Sequence, residues 1–280
     1  MSDALPPFTT AAPLAARVLT RTQLVPDSGA GEVCELEITW VDAGLQWTPG
    51  QSIGVVPPGL NARGRPNVPR LYSLASAWQP GTNRLTLLVR RSLALDPQTG
   101  QVHRGLCSSY LCDAQPGDVL RLTGPVGHVL DLPADPKAAW ILLATGTGIA
   151  PFRGFLQHWQ QLEPCARPPV WLVHSARTQA ELAWHAEFNH LVERHPQLIY
   201  QVLRSREDAP IAGRRPHLDS VLRAHRDRLT EWLGERRAVV YCCGVRGMVQ
   251  GVEEVLAAAL GRSDAGAWLE GQQRLRIEVY

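Results

Sequence analysis

The sequence predicts two domains: a closed antiparallel β-barrel over residues 14–136, then an α/β domain with a parallel sheet wound with helices over residues 137–280. Three observations lead there. The chain has 280 residues, a length that suits about two domains. Up to Pro136 it breaks into short alternating runs punctuated by Gly and Pro, as in antiparallel barrels. Beyond Pro136, continuous apolar runs alternate with helical stretches, as for strands buried on both faces between helices.

The elements follow in order. Residues 1–13 are rich in Pro and Ala and are expected to be loose. Val33–Trp40 alternates apolar and polar residues, the period of a half-buried strand, and Arg84–Arg90 and Asp118–Thr123 read as two more. Pro49-Gly50, Pro57-Pro58-Gly59 and Pro80-Gly81 mark turns between strands. The border falls at Leu132–Lys137. Ala139–Ala144 and Pro169–His174 then read as strands buried on both faces, and Leu198–Leu203 and Ala238–Cys242 as further strands. Helices are expected over Pro151–Leu162, Gln179–Glu193, Leu218–Arg226 and Met248–Leu260.

Composition excludes several chemistries. Lys and Arg together number 28, yet the only lysine is Lys137, in a Pro-rich loop-like run. No Gly-Lys-Ser/Thr phosphate loop exists, so P-loop nucleotidases are out, and a protein kinase would lack its strand lysine. Any bound anion must be met by arginine and backbone amides. The net charge of +2 carries no global field of the nucleic-acid-binding kind. Arg63, Arg65, Arg70, Arg84, Arg90, Arg91 and Arg104 crowd the first half, either as solvated surface or as a docking face for an acidic partner or phosphate. The six cysteines form no Cys-x-x-Cys pair, so a zinc ribbon is not expected. Cys107 and Cys112 lack the further cysteine of an iron–sulfur loop, and no metal is expected. No secretory leader is expected, and the longest apolar run, Ala138–Ala144, is too short to cross a bilayer. A cytoplasmic protein with reduced thiols is expected.

Two local patterns bear on chemistry. Ala144-Thr-Gly-Thr-Gly-Ile-Ala-Pro151 directly follows a buried strand and opens a helix. Glycines there let backbone amides approach a pyrophosphate, although any tight strand–helix turn uses them too. Further on, Ser205-Arg206 and Arg214-Arg215 suit a ribose 2′-phosphate, which favours NADP over NAD; surface charge is the competing reading. In the first half, Arg70-Leu-Tyr-Ser73 reads as a strand with Arg70 and Tyr72 on one face. An arginine beside an aromatic can hold a phosphate while the ring stacks on a flat cofactor. Taken alone, a solvated strand face serves equally.

Taken together, the motifs resemble the plant-type ferredoxin–NADP(+) reductases, the family that also contains the flavoprotein domain of sulfite reductase. The resemblance runs from Gly50 to Tyr280 in one order: Pro49-Gly-Gln-Ser-Ile-Gly-Val-Val-Pro57, Arg70-Leu-Tyr-Ser-Leu-Ala-Ser76, Gly105-Leu-Cys-Ser-Ser-Tyr-Leu-Cys-Asp113, Thr123-Gly-Pro-Val-Gly127, Gly146-Thr-Gly-Ile-Ala-Pro-Phe-Arg153, Ser205-Arg206, Tyr241-Cys-Cys-Gly-Val-Arg-Gly-Met248 and Ile277-Glu-Val-Tyr280. It implies an FAD-binding β-barrel followed by a Rossmann-like NADP-binding domain.

By this resemblance Arg70, Leu71, Tyr72 and Ser73 meet FAD, Arg70 at its pyrophosphate, Tyr72 on the isoalloxazine and Ser73 near N5. Leu106, Cys107 and Ser108 offer groups to the pyrophosphate at a helix start. Arg90, Thr147, Gly148, Gly244 and Met248 meet NADP, with Ser205, Arg206 and Arg215 on its 2′-phosphate and His217 on its adenine. Cys243 matches the cysteine beside the nicotinamide, core packing being the plainer reading. Glu278 matches the carboxylate of a hydrogen-bond path to Ser73. Tyr280 matches the terminal tyrosine that covers the flavin where nicotinamide must go. The catalytic group is thus Ser73, Cys243, Glu278 and Tyr280.

Four positions depart from the family: Ala94 lacks the aromatic that stacks on the FAD adenine, His217 replaces a tyrosine, and Arg90 and Arg215 replace lysines. The implied activity is hydride transfer between NADP(H) and FAD, with single electrons exchanged with a ferredoxin or flavodoxin. A monomer is expected, without nucleic acid or membrane. Two other readings stay open: a reductase subunit feeding an oxygenase or sulfite-reductase-like complex, and a non-catalytic flavin- or nucleotide-binding regulatory subunit.

Overall fold

The structure is a computed structural model that describes residues 7–27, 31–41, 44–61, 63–211, 213 and 215–280. Residues 1–6 of the segment expected to be loose, and Arg214, lie outside the described residues. The chain divides into two compact units, residues up to His128 together with Arg153–His158, and Val129–Phe152 together with Trp159–Tyr280.

The first unit holds strands β1 (Leu14–Val25), β2 (Val33–Thr39), β3 (Ser52–Val55), β4 (Arg70–Ser73) and β5 (Arg84–Arg90). A small hairpin, β6 (Leu93–Leu95) with β7 (Val102–Arg104), leads into helix α1 (Leu106–Cys112) and strand β8 (Val119–Val126). Six strands form one antiparallel sheet in the order β4-β3-β8-β1-β2-β5. The two edges meet: Leu74, just past β4, bridges Leu87 of β5, and the Ala75 amide donates to the Thr86 carbonyl at 2.9 Å. Joining the edges removes the unpaired backbone that an open sheet presents, so the sheet is barrel-like.

Alternation places the core. Leu14, Ala16 and Val18 of β1 are buried while Ala15 and Arg17 are exposed. Cys34, Leu36 and Ile38 of β2 join them, with Leu85, Leu87 and Val89 of β5. Phe8, within the segment 1–13, also packs against this core, and its carbonyl accepts from the Gly124 amide at 2.9 Å.

A charge cluster centred on the buried Arg91 and Glu32 ties the ends of β1, β2, β5 and α1. Arg91, 5% exposed, donates from Nε to Glu32 Oε1 at 3.0 Å and from Nη2 to Asp113 Oδ1 at 2.6 Å. Glu32 Oε2 accepts from Arg21 at 2.8 Å and from Gln23 at 2.9 Å. Burial alone would raise the Glu32 pKa, but the Arg91 and Arg21 guanidiniums outweigh it and hold the carboxyl below the usual carboxylate range.

The second unit holds β9 (Trp140–Thr145), a 3₁₀ turn (Gly146–Ile149), α2 (Ala150–Gln161), β10 (Val170–Ala176), α3 (His185–Arg194) and β11 (Leu198–Arg204). It continues with α4 (Leu218–Ala224), α5 (Arg226–Gly234), β12 (Val239–Gly244), α6 (Met248–Leu260), α7 (Ala265–Gly271) and β13 (Leu275–Val279). The middle of α2 counts with the first unit. The sheet is wholly parallel, in the order β11-β10-β9-β12-β13. On one face Ile141, Leu143, Trp171, Val173, Val240 and Cys242 pack against Leu222, Leu229, Trp232, Val252, Leu256 and Leu269. With β9, β10 and β12 buried almost throughout, their continuous apolar runs are explained. Among the described residues no helix is long and apolar enough to cross a membrane.

Three helices differ from expectation. The helix expected over Gln179–Glu193 starts only at His185, after a 3₁₀ turn at Gln179–Glu181. Trp184 lies at φ 57°, and a residue in the left-handed region cannot continue a right-handed helix. The helix expected over Leu218–Arg226 ends at Ala224 and a second one, α5, follows. At the break, the His225 ring bonds the Gln201 amide at 2.7 Å, and Gln201 accepts from Trp171 Nε1 at 2.8 Å. Helix α7, with two glycines in seven residues, has poor intrinsic propensity and forms because Ala265 and Leu269 bury into the core.

Removing the Arg91 guanidinium strips Oε1 of the largely buried Glu32 carboxylate of its donors and leaves Arg21 and Gln23 on Oε2 alone. Arg91→Leu is expected to cost about 3–5 kcal/mol in urea unfolding. Because the folded Glu32 pKa is depressed, its contribution is present above the unfolded value of about 4.5 and is lost as pH falls through the folded value. Stability of wild type measured between pH 6 and pH 3 is expected to fall more steeply than that of Glu32→Gln.

Candidate active site

In the first unit, β4 presents Arg70 and Leu71 exposed, with Tyr72 and Ser73 partly covered. Tyr72 pairs with Ile53 and Ser73 with Ser52 across β3. Tyr72 packs against the barrel core, and its hydroxyl lies beside the Cys107 thiol. Burial, then the neighbouring Cys107, raises the tyrosine pKa, so the hydroxyl stays protonated. That contact brings β4 beside the start of α1. The first-turn amides of a helix have no partner inside it, and no acidic side chain sits in the first turn of α1. The Ser108 hydroxyl accepts from the Ser92 amide at 3.0 Å and donates to the Gly105 carbonyl at 3.2 Å. Ser108 therefore offers its amide rather than its hydroxyl. An exposed arginine, a half-covered aromatic ring and acid-free helix amides form a donor set that fits a flavin dinucleotide. Arg90, at the end of β5, directs Nη1 to the Gly31 carbonyl at 3.4 Å.

In the second unit the 3₁₀ turn after β9 lies backbone to backbone against the end of β12. A Cβ on Gly148 would run into the carbonyl of Cys243, and one on Gly244, at φ 139°, would run into Thr145. Glycine is required at both places. Thr145 Oγ1 accepts from the Val245 amide at 2.8 Å and donates to Met248 Sδ at 3.5 Å. The Thr147 hydroxyl meets the Tyr280 hydroxyl at 2.7 Å, and the Tyr280 amide donates to the Gly244 carbonyl at 3.0 Å. Register places Cys243 of β12 opposite Glu278 of β13. One cluster therefore gathers Thr147, Gly148, Cys243, Gly244, Met248, Glu278 and Tyr280.

The electrostatics of the cluster favour neutral acids. Burial raises the Glu278 pKa, and its Oε2 has no hydrogen-bond partner among the described residues. Burial, then the Glu278 carboxyl, raises the Cys243 thiol, which stays protonated and packs as a neutral group. A carboxyl oxygen left unpartnered beside a backbone cradle fits a cofactor that brings its own donor.

Ser205, Arg206, Arg215 and His217 lie on two other segments. Ser205 and Arg206 form the turn after β11, their amides donating to the Ala176 and Arg177 carbonyls, each at 2.9 Å. Arg206, Arg215 and His217 are exposed. His217 leads into α4, its amide donating to Ser220 Oγ at 3.2 Å. This is a donor set for a phosphate.

His174 belongs to the site's support, although in the sequence it is marked only as the end of a strand. It is fully buried on β10, and its Nε2 lies 3.2 Å from the Gly146 carbonyl. Burial pushes its pKa down to about 4, so the ring is neutral. The parallel register of β10 and β9 sets His174 beside Ala144. No sequence motif carries that signal; only strand order does.

Gly148→Ala is expected to force the turn away from β12, weakening NADP(+) binding at least tenfold by calorimetry and costing about 1–3 kcal/mol of stability.

Residues 142–254 match the model of the oxidoreductase NAD-binding domain family. A ferredoxin–NADP reductase leaf isozyme of Arabidopsis thaliana is 33% identical over 282 residues, 96% of this chain and 77% of that protein. The ferredoxin–NADP reductase of Thermosynechococcus vestitus is 35% identical over 96% of this chain and 73% of its own length. That of a Spirulina species is 33% identical over 94% of this chain and 92% of its own. A solved Plasmodium falciparum ferredoxin–NADP(+) reductase with 2′P-AMP superposes with a TM-score of 0.77 over 99% of both chains at 19% identity, which supports the fold. With such identity to full reductases over nearly its whole length, the chain belongs to the ferredoxin–NADP reductase family.

Proposed function

We propose that the chain moves a hydride between NADP(H) and FAD N5 through Ser73, Cys243, Glu278 and Tyr280. It is an oxidoreductase of the ferredoxin–NADP reductase type, with FAD and NADP(H) as cofactors and ferredoxin as its one-electron partner. The observation that carries the assignment of residues is the cluster in which the Gly148 turn, Cys243 and Glu278 come together in one unit.

When bound, NADP(H) and FAD supply the redox chemistry, a hydride donor and an N5 acceptor that can also release electrons singly. The residues bind and orient. Arg70 and the amides of Leu106, Cys107 and Ser108 neutralise the FAD pyrophosphate, with Leu71 beside them and the Tyr72 ring against the isoalloxazine. Ser73 holds a hydrogen bond at N5. The amides of Thr147 and Gly148, with Gly244, Met248 and Arg90, receive the NADP pyrophosphate and nicotinamide nucleotide. Ser205, Arg206 and Arg215 take the 2′-phosphate, and His217 stacks on the adenine. The neutral Cys243 thiol packs beside the nicotinamide without competing for charge. Glu278, whose pKa burial raises, would exchange a proton on the flavin side of the reaction. Tyr280 would shield the flavin and would give up its bond to Thr147 to admit the nicotinamide.

The remaining assignments complete this reading. Residues 14–136 hold FAD and residues 137–280 hold NADP(H). A flavodoxin can replace ferredoxin, and the chain works as a cytoplasmic monomer without nucleic acid or membrane, in keeping with a net charge of only +2. The oxygenase-subunit and regulatory-subunit readings are not favoured, because the relatives matched over nearly the whole chain are reductases by name.

A purified protein that is yellow and reduces dyes with NADPH supports the reading, and a colourless one overturns it. In stopped flow, Ser73→Ala and Glu278→Ala are each expected to slow hydride transfer by about 10²-fold. Wild-type rates in both would remove those roles. Because burial raises the Glu278 pKa, its proton persists to higher pH. NADPH oxidation should fall as pH rises through that raised value, and Glu278→Gln should abolish this limb. Deleting Tyr280 is expected to tighten NADP(+) and relax NADP/NAD discrimination; unchanged affinity in titration calorimetry would dismiss the gate.

A further inference from the structure

Two cysteines outside the proposed chemistry meet inside the barrel. Cys34 of β2 and Cys112, the last residue of α1, are 0% and 1% exposed. Their sulfurs and a Glu32 oxygen all lie within 4.8 Å of one another. Arg21 Nη2 donates to Cys34 Sγ at 3.2 Å, while Cys112 Sγ donates to the Val89 carbonyl at 3.8 Å.

The trio has the composition of a metal site, but its charges are wrong for one. Both Glu32 oxygens already accept from Arg91, Arg21 and Gln23. A cation there would displace those donors and sit against two guanidiniums. The same guanidiniums favour an anion, and the only other group in the trio able to become one is a thiolate. The contact with Cys112 and the Arg21 charge lower the Cys34 pKa against burial and against Glu32, to which the Cys34 thiol donates at 3.6 Å, whereas Cys112 is raised. The two thiols are thus unequal, one readied to attack and one holding its proton.

We propose that Cys34 and Cys112 are a peroxide-oxidisable pair that closes to a disulfide between β2 and the end of α1. The Cys34 thiolate attacks one oxygen of hydrogen peroxide. The S–O bond forms, the O–O bond breaks, and the hydroxide released takes a proton to leave as water. Cys112 sulfur then attacks the Cys34 sulfenic acid. The S–S bond forms, the S–O bond breaks, and the leaving hydroxide departs as water with the Cys112 proton. Two electrons pass from the thiols to the peroxide, and two thiols and one peroxide give one disulfide and two waters. The sulfurs lie within 4.8 Å of one another and have to close to the bonding distance of about 2.05 Å. A peroxide molecule is close to water in size, whereas glutathione is not, so an oxidant of peroxide size is the one suited to this buried pair.

The test uses the holoenzyme carrying Cys165→Ser, which removes the exposed thiol. It is treated with hydrogen peroxide, denatured, alkylated and mapped without reductant. The expected result is loss of two alkylatable thiols, a linked peptide pair containing Cys34 and Cys112, and reversal by dithiothreitol. Arg21→Gln, which leaves both thiols in place, should slow linkage by about tenfold, as the thiolate fraction falls. Cys34→Ser and Cys112→Ala should each abolish it. Linkage of Cys112 to Cys107, Cys34 over-oxidised with Cys112 still alkylatable, or both thiols unchanged while Cys165 of the wild type oxidises would each overturn the proposal. So would stoichiometric zinc in the purified protein that shields both thiols from alkylation.

Discussion

The carbonyl of Cys243 occupies the space that any side chain at position 148 would need. The second unit is organised around that closeness. Because β9 and β12 are neighbours in a parallel sheet, the segments that leave their carboxyl ends emerge side by side. Packing them backbone to backbone leaves a cradle lined by amides and small groups rather than by side chains. Gly244 then takes a conformation open to glycine, Thr145 bonds the Val245 amide, and Tyr280 is held by the Gly244 carbonyl. A cradle of this kind suits the anion site proposed above, which by composition has to do without a lysine. His174 supports it from beneath with a neutral ring, so no second charge competes there.

Arginine, the nearly exclusive cation of this chain, is used in two ways. Arg91 and Arg274 are buried and act as cross-braces. Arg91 satisfies Glu32 and Asp113 together, and Arg274 donates to the Leu233 and Ala238 carbonyls. Their forked geometry lets one side chain meet two acceptors in a site where an unpaired charge would be costly. Arg70, Arg206 and Arg215 are exposed and have the reach to meet phosphate. In sequence Arg90 and Arg91 are neighbours of one type, and only the direction of the strand separates them. Arg91 turns to the buried cluster, and the half-buried Arg90 reaches the Gly31 carbonyl.

Much of the fold and of the candidate site is legible in the sequence where a residue's role depends on its near neighbours. The Val33–Trp40 alternation, the apolar run at Ala139–Ala144 and the Gly-x-Gly turn each signal their element locally, and each forms. Helix limits were less legible wherever one residue's backbone or a distant contact decided them. Trp184 breaks a periodic stretch by its φ, and the His225 ring, bonded to Gln201 on β11, marks the break between α4 and α5. Helix α7 forms against its own propensity because two of its side chains find the core.

Sequence by itself determined the two-part architecture, the near-absence of lysine that leaves arginine and amides as the candidate anion donors, and the order of motifs that marks the family. These depend on periodicity, composition and spacing, which are properties of the chain. Tertiary structure alone decided which residues meet. Strand order set Cys243 opposite Glu278, put His174 beneath the glycine turn, and brought Cys34 to Cys112 from 78 positions apart. No local pattern encodes those meetings, because register and sheet order arise only when distant segments compete for the same buried surface.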